Sequence, residues 1–223
     1  MKSRIKRKRK ITKRKRKIIK INNTKKGGNN STIHYLQNDC ITQINSIHFQ
    51  ANKLIYISDG ADFLTNENKL RLYINKSYNN YKSLSNSDIC LLFPYFELKK
   101  VLTKHSFVKN GSKLLLLIAS NMDNVSDKTD IVVGIAQFNI KLGESINEPV
   151  LYLENICTAK NTTINCKFGK ILFDKITEIM KFNGINRLEL KSFDENSTNF
   201  YRTNGYTEFT GPLDDYLHFY KEI

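Results

Sequence analysis

Residues Val150 to Phe209 read VLYLENICTAKNTTINCKFGKILFDKITEIMKFNGINRLELKSFDENSTNFYRTNGYTEF. The apolar positions Ile171, Leu172, Phe173, Ile176, Ile179 and Met180 recur every three to four residues. That period gives one apolar face to a helix over Phe168–Phe182. Asn183-Gly184 supplies its stop. The β-rich run Val150–Thr158 before it and Asn186–Lys191 after it read as strands. A short helix over Asn196–Thr203, stopped by Asn204-Gly205, leads to closing strands at Tyr206–Phe209 and Tyr216–Lys221. Strand, helix, strand is a parallel crossover, and such crossovers are right-handed.

Upstream, Leu114–Ser120 and Ile131–Ile140 read as two further strands, joined to Val150–Thr158 by polar turns. Short connections of this kind predict an antiparallel meander. The fold class is therefore α/β in the broad sense: a mixed α+β sheet, largely antiparallel, with one parallel βαβ step and helices on both faces. The break in strand order at the helix from Phe168 is where a ligand site is expected. Pro94 suits the first turn of a helix over Tyr95–His105, and Gly111 ends that unit. Nearer the N-terminus, Thr32–Leu36 suggests a strand. Ile41, Ile44, Ile47 and Phe49 are spaced more like a helix than a strand. Leu54–Ile57 is a short apolar run, Asn66–Tyr73 suggests a helix, and 75–87 reads as a polar loop.

The chain has 223 residues and a formal charge of +15. Fifteen of its 36 Lys and Arg lie in residues 1–26, which hold no acid; the remaining 21 are balanced by 21 Asp and Glu. The excess charge is thus a property of the tail. So dense a run of one sign repels itself and buries no core, so 1–30 is expected to be a disordered basic tail ahead of one domain over 31–223. Clusters such as KRKRK read as a nuclear address or as contact with nucleic acid or another polyanion. No apolar run approaches the length of a membrane span, and no apolar stretch follows the N-terminal charges as in a secretory leader. Cys40, Cys90, Cys157 and Cys166 show neither metal-ligand spacing nor a disulfide framework and read as reduced thiols, which suggests a reducing, intracellular compartment. His34, His48, His105 and His218 lack metal spacing and read as structural; no metal site is expected.

The run Phe200-Tyr201-Arg202-Thr203-Asn204-Gly205-Tyr206 resembles the FYxxxGF-like element of the GNAT superfamily of acetyl-CoA-dependent N-acetyltransferases. The loop before the long helix, Ile164-Asn165-Cys166-Lys167-Phe168-Gly169, is similar to that family's cofactor loop, (Q/R)xxGx(G/A), at Gly169; Ile164 and Lys167 replace its other two positions. The resemblance is best over 113–223. It implies transfer of an acetyl group from acetyl-CoA to an amine by direct attack. It places the cofactor phosphates on the helix start at Lys167, Phe168, Gly169, Lys170 and Ile171, and the pantetheine arm beside Ile156, Cys157 and Thr158, with a backbone N–H near Cys157 for the oxyanion. It implies Tyr201 as general acid pointing into the cleft, with Phe200 and Tyr206 packed inward. Glu154 is the candidate general base. Two alternatives stand beside this: an inactive GNAT-shaped binding module, and a nucleic-acid-associated protein acting through its tail.

Overall fold

The computed structural model describes residues 32–36, 40–44, 47–58, 68, 70–73, 75–77, 112–123, 129–144, 146–159, 167–211 and 216–223. The expected tail, the joint at 27–30, the helix Tyr95–His105 and the loop residues Ile164, Asn165 and Cys166 lie outside them. The strands are β1 (Thr32–Tyr35), β2 (Ile41–Ile44), β3 (Ile47–Ile57), β4 (Lys113–Asn121), β5 (Asp130–Leu142), β6 (Pro149–Thr158), β7 (Arg187–Ser192), β8 (Thr207–Phe209) and β9 (Leu217–Glu222). Two helices, α1 (Phe168–Phe182) and α2 (Glu195–Thr203), follow β6 and β7. The nine strands form one sheet in the order β1-β3-β4-β5-β6-β7-β9-β8, with β2 also on β3. Every pair is antiparallel except β6 and β7, the pair that α1 connects.

The helical spacing suggested for 39–52 is corrected to two strands. β2 and β3 are separated by only two residues, and Ile44 is the register partner of Ile47. Two apolar strand ends folded back on each other reproduce a three-residue spacing without a helix. β1 and β2 lie end to end along β3, pairing with Lys53–Tyr56 and Ile47–Gln50 respectively.

The sheet separates two cores. On one face Leu115, Leu117, Ala136, Phe138, Leu151, Leu153, Leu188, Leu190 and Phe219 meet Leu172, Ile176 and Met180 of α1 and Tyr201 of α2. On the other, Leu114, Leu116, Ile118, Val132 and Ile135 meet Leu70 and Tyr73, which belong to helical residues within 68–77. Ser77 joins that helical stretch to the sheet: its Oγ accepts the Val132 N–H at 2.7 Å and donates to the Tyr73 carbonyl at 2.6 Å.

The seat of α1 is a glycine. A Cβ on Gly134 of β5 would lie 3.0 Å from Leu172 Cδ1 and 3.3 Å from Leu117 Cβ. The missing side chain lets Leu172 rest on the strand, which holds α1 over the β5–β6 border. Gly134→Val should therefore lower stability by about 1–3 kcal/mol through overpacking, measured by urea denaturation. An unchanged midpoint would show that α1 does not depend on this close approach.

Candidate active site

The site begins with one extra residue in a strand. Along β5 and β6 the register runs Phe138↔Leu153 and then Gln137↔Asn155, so Glu154 has no partner on β5. An inserted residue of this kind bends its strand and increases the local twist. The consequence appears on the other edge of β6. Its parallel pairing with β7 covers only Leu151↔Leu188, Tyr152↔Glu189 and Leu153↔Leu190. Beyond that point β6 continues to Thr158 along β5, and Lys191 and Ser192 of β7 pair with β9. The two strands therefore diverge, and the gap opens at the bulge.

Backbone groups of β6 face that gap. The Ala159 N–H donates to the Val133 carbonyl of β5 at 2.9 Å. Strand alternation then turns the Cys157 amide to β5 and those of Ile156 and Thr158 toward β7. Near Cys157, the amides turned toward β7 are those of its two neighbours. The Ile156 side chain packs on the α1-side core.

α1 starts beside the gap. Its N-cap is Lys167, at φ −105° and ψ 74°, with no side-chain capping bond and no acid in the first turn. The first bond into the helix is from the Ile171 N–H to the Lys167 carbonyl at 3.2 Å. The amides of Phe168, Gly169 and Lys170 therefore lack helical acceptors, and the helix dipole adds partial positive charge. Gly169 is not a packing glycine: a Cβ there would meet nothing within 4 Å. Lys170 Nζ sits 2.8 Å from Asp174 on the exposed face of the helix.

A cleft of ≈ 820 Å³ runs from this point between α1 and α2. Thr158, Lys167, Phe168, Gly169 and Lys170 line its head, and Phe173, Phe200, Asn204, Tyr206 and Lys221 continue it. Of the residues expected at the cofactor, five line the cleft. Ile156, Cys157 and Ile171 do not, because their side chains point elsewhere: Ile156 and Ile171 pack on the core.

The FYRTNGY element is correctly placed but rotated relative to expectation. Asp194 caps α2, its carboxylate accepting the Ser197 N–H at 2.8 Å. Gly205 leaves the helix at φ +77°, a conformation that favours glycine. In between, Thr198 and Tyr201 are the buried positions. Tyr201 is 6% exposed and Phe200 is 47% exposed. Phe200 and Tyr206 face the cleft, and Tyr201 does not line it. The reason is helical phase: on a helix so short, positions three apart share the sheet-facing side, and the residue before Tyr201 is turned about 100° away. Tyr201 packs against Phe219, Tyr206 and Phe200, with centroids 5.7, 5.3 and 5.5 Å away. Burial, aided by the Asp194 carboxylate, pushes its phenol up to about 12. Tyr206 is raised too, by burial and by Tyr201.

Glu154 stands on the bulge itself. Ser112, a buried residue just before β4, donates its hydroxyl to Glu154 Oε2 at 3.1 Å. Next to it, Asn155 Nδ2 donates to Gln137 Oε1 at 3.3 Å. With Leu153 facing α1, alternation sends Glu154 to the opposite face of the sheet. The gap thus has uncapped amides on one side and a carboxylate on the other.

For Cys40 and Cys157 the reading as free thiols is corrected: both are disulfide-bonded. Pairings between cysteines far apart in sequence leave no trace in their spacing. His48 Nδ1 lies 3.0 Å from Asp123, and the buried His218 Nδ1 lies at ion-pair distance, 3.0 Å, from Glu144. Among the described residues no group of three or more potential ligands is placed to hold a metal, and no helix is long and apolar enough to cross a membrane.

No family model and no curated protein sequence matches the chain. Solved structures of similar shape include a GNAT-family acetyltransferase of Listeria monocytogenes, at 13% identity and TM-score 0.44 over 82% of this chain and 99% of that one. The PaiA N-acetyltransferase of Thermoplasma acidophilum, in complex with coenzyme A, has 18% identity and TM-score 0.42 over 76% and 99%. A GNAT-family acetyltransferase of Staphylococcus aureus has 19% identity and TM-score 0.42 over 76% and 98%. The likeness is one of overall shape, and the functional reading below rests on the residues at the gap.

The raised phenols set a pH dependence. Tyr201 holds its proton to about pH 12 when folded and to about 10 when unfolded. The unfolded chain therefore binds fewer protons between those values. The stabilisation is complete below about pH 10 and is lost as pH rises toward 12. Tyr201→Phe should flatten this alkaline decline in thermal melts from pH 8 to 12. It should change stability at pH 7 little, because no described residue hydrogen-bonds the hydroxyl. A decline of equal slope in both proteins would count against the assignment.

Proposed function

We propose that this chain is an acyl-CoA N-acyltransferase, moving the acetyl group of acetyl-CoA to an amine. The observation that carries the reading is the parting of β6 and β7 at Glu154 beside the uncapped start of α1. An anionic ligand with a narrow arm fits that arrangement: phosphates on the free amides of Phe168 to Lys170, and the arm along the backbone of Ile156 and Thr158. At φ −105° Lys167 lies outside the left-handed region that favours glycine, so this position does not require one. Its ammonium adds positive charge where the phosphates would lie.

The reaction needs little of the protein beyond alignment. The amine nitrogen bonds to the thioester carbonyl carbon, the C–S bond breaks, and the thiolate takes a proton while the amine loses one. Holding the reactants in line supplies roughly 7–11 kcal/mol in favourable cases. The Ile156 or Thr158 N–H is the donor suited to the oxyanion. Glu154, on the face opposite α1, is suited to take the proton of the incoming amine. Tyr201, buried and off the cleft lining, is not placed to protonate the thiolate, which takes its proton from solvent.

Its burial favours one second reading, that of a binding module without transfer activity. Acetyl-CoA titrated calorimetrically separates the possibilities when combined with a screen of amines for release of free thiol. Binding with turnover supports the enzyme. Binding without turnover supports the module, and no heat at millimolar cofactor defeats both. For residues 1–26 we propose sequence-independent contact with a polyanion such as nucleic acid. Deleting 1–30 should then remove salt-sensitive DNA binding and leave acetyl-CoA affinity unchanged.

Two substitutions test the site itself. Gly169→Ala should raise thermal stability, by up to about 1 kcal/mol from helix propensity, and weaken acetyl-CoA binding, since the added methyl enters the cleft. Changes of the same sign in both would remove Gly169 from the site. Glu154→Gln should lower kcat about 100-fold or more with KM for acetyl-CoA little changed. Activity within twofold of the parent would exclude Glu154 as base.

A further inference from the structure

Three serines are buried among the described residues: Ser77, Ser112 and Ser192. Two of them serve local structure. Ser77 ties a helical stretch to β5 through the Val132 N–H and the Tyr73 carbonyl. Ser192 bonds the Asp194 carbonyl and the hydroxyls of Ser197 and Thr198 at the start of α2. Ser112 differs from both. It is 3% exposed, and its hydroxyl donates to a titratable side chain, Glu154 Oε2, at 3.1 Å. It stands directly before β4, at a site where alanine would fill nearly the same space. Packing therefore does not account for the hydroxyl, and a buried hydroxyl is costly unless it is bonded.

We infer that Ser112 is a positioning residue for Glu154, fixing the orientation in which the carboxylate receives the proton of an attacking amine. The inference rests on the reading of Glu154 as the base of an acyltransferase. The bulge is what creates the need. Leu153 and Ile156 both pack on the α1-side core, so the two residues between them share the opposite face. Asn155 is held there from β5, its Nδ2 donating to Gln137 Oε1 at 3.3 Å. Glu154 has no register partner on β5, so the strand that braces its neighbour does not brace it. Its tie comes from farther away. β5 lies between β4 and β6 in the sheet, and the carboxylate leans over it to reach Ser112. A glutamate turns about three side-chain bonds, and a carboxylate that samples several rotamers is seldom aligned for transfer. A donor at a buried site removes that freedom through one oxygen, and Oε1 is left to take the proton. The lean also sets the carboxylate back from the β7 edge by about 5 Å, one strand spacing, so the proton crosses through one water. In the step itself the amine nitrogen bonds to the carbonyl carbon and one N–H proton passes to Glu154. Ser112 keeps its own proton throughout.

The test is a double-mutant cycle on the full chain. Thiol release from acetyl-CoA is followed with spermidine and a lysine peptide as amines, and acetyl-CoA affinity by calorimetry. Ser112→Ala should lower kcat about 10-fold and leave both KM and calorimetric affinity for acetyl-CoA unchanged, which also shows the variant folded. In a Glu154→Gln background the same change should lower kcat less than twofold, because the group it positions is gone. An equal loss in both backgrounds would mean that Ser112 acts through packing, and would overturn the role. Ser112→Ala with kcat within twofold of the parent would overturn it and leave the acyltransferase reading intact. Weakened acetyl-CoA binding in step with the lost activity would overturn it as well, since positioning of the base does not touch the cofactor. A parent that binds acetyl-CoA and turns over neither amine would remove base and positioning residue together. A parent that binds no acetyl-CoA would remove the acyltransferase reading with them.

Discussion

Glu154 is one residue too many for the strand that carries it, and the sheet opens where it stands. A strand in a regular sheet must satisfy partners on two edges at once. β6 keeps its register with β5 on both sides of the bulge, so the added twist is taken up on the β7 edge. Three parallel pairs form before the strands separate. Among the described residues, none pairs with β6 across the gap beyond Leu153. Buried backbone groups without partners are costly, so an opening of this kind is stable when solvent or a ligand fills it. On its other edge β7 is fully paired, all six residues with β9.

Much of this architecture was legible in sequence because its elements carry strong periods. α1 spans the residues that its three-to-four spacing outlined, since one face rests on a sheet and the other meets solvent. β4, β5 and β6 were evident as apolar runs between polar turns. The bulge was not. In Tyr152-Leu153-Glu154-Asn155-Ile156 nothing distinguishes an inserted residue from ordinary alternation, because register belongs to the pair of strands and not to either one. For a similar reason β2 and β3 resembled a helix: a two-residue reversal brings apolar ends together at a spacing that a linear reading assigns to one element. The disulfide bonds at Cys40 and Cys157 are a further long-range pairing that spacing alone did not disclose.

Around the FYRTNGY element, sequence gave the position and missed the phase. The motif established that a helix ends at Gly205 beside the cleft. Which aromatic faces the cleft depends on the rotation of α2 about its axis. That rotation is fixed by contacts distant in sequence: Tyr201 against Phe219, Thr198 against Ser192, and the Asp194 cap at the start. Phe200 is therefore delivered to the cleft by the burial of its neighbour. A feature of this type has a local signal only when the apolar face of a helix is wide enough to define its phase. In nine residues with two buried positions it is not.

On the acyl-CoA reading proposed above, the head of the cleft would hold an anionic ligand through its backbone. At the head, recognition falls to backbone amides and a partial charge that no substitution of side chains removes; what side chains control there is access. Gly169 illustrates this: it weakens α1 as a helix and fills no tight space in the fold. Its contribution is the room left above the amides. On that reading the amides of Phe168 to Lys170 stay in place whatever side chain stands at Lys167.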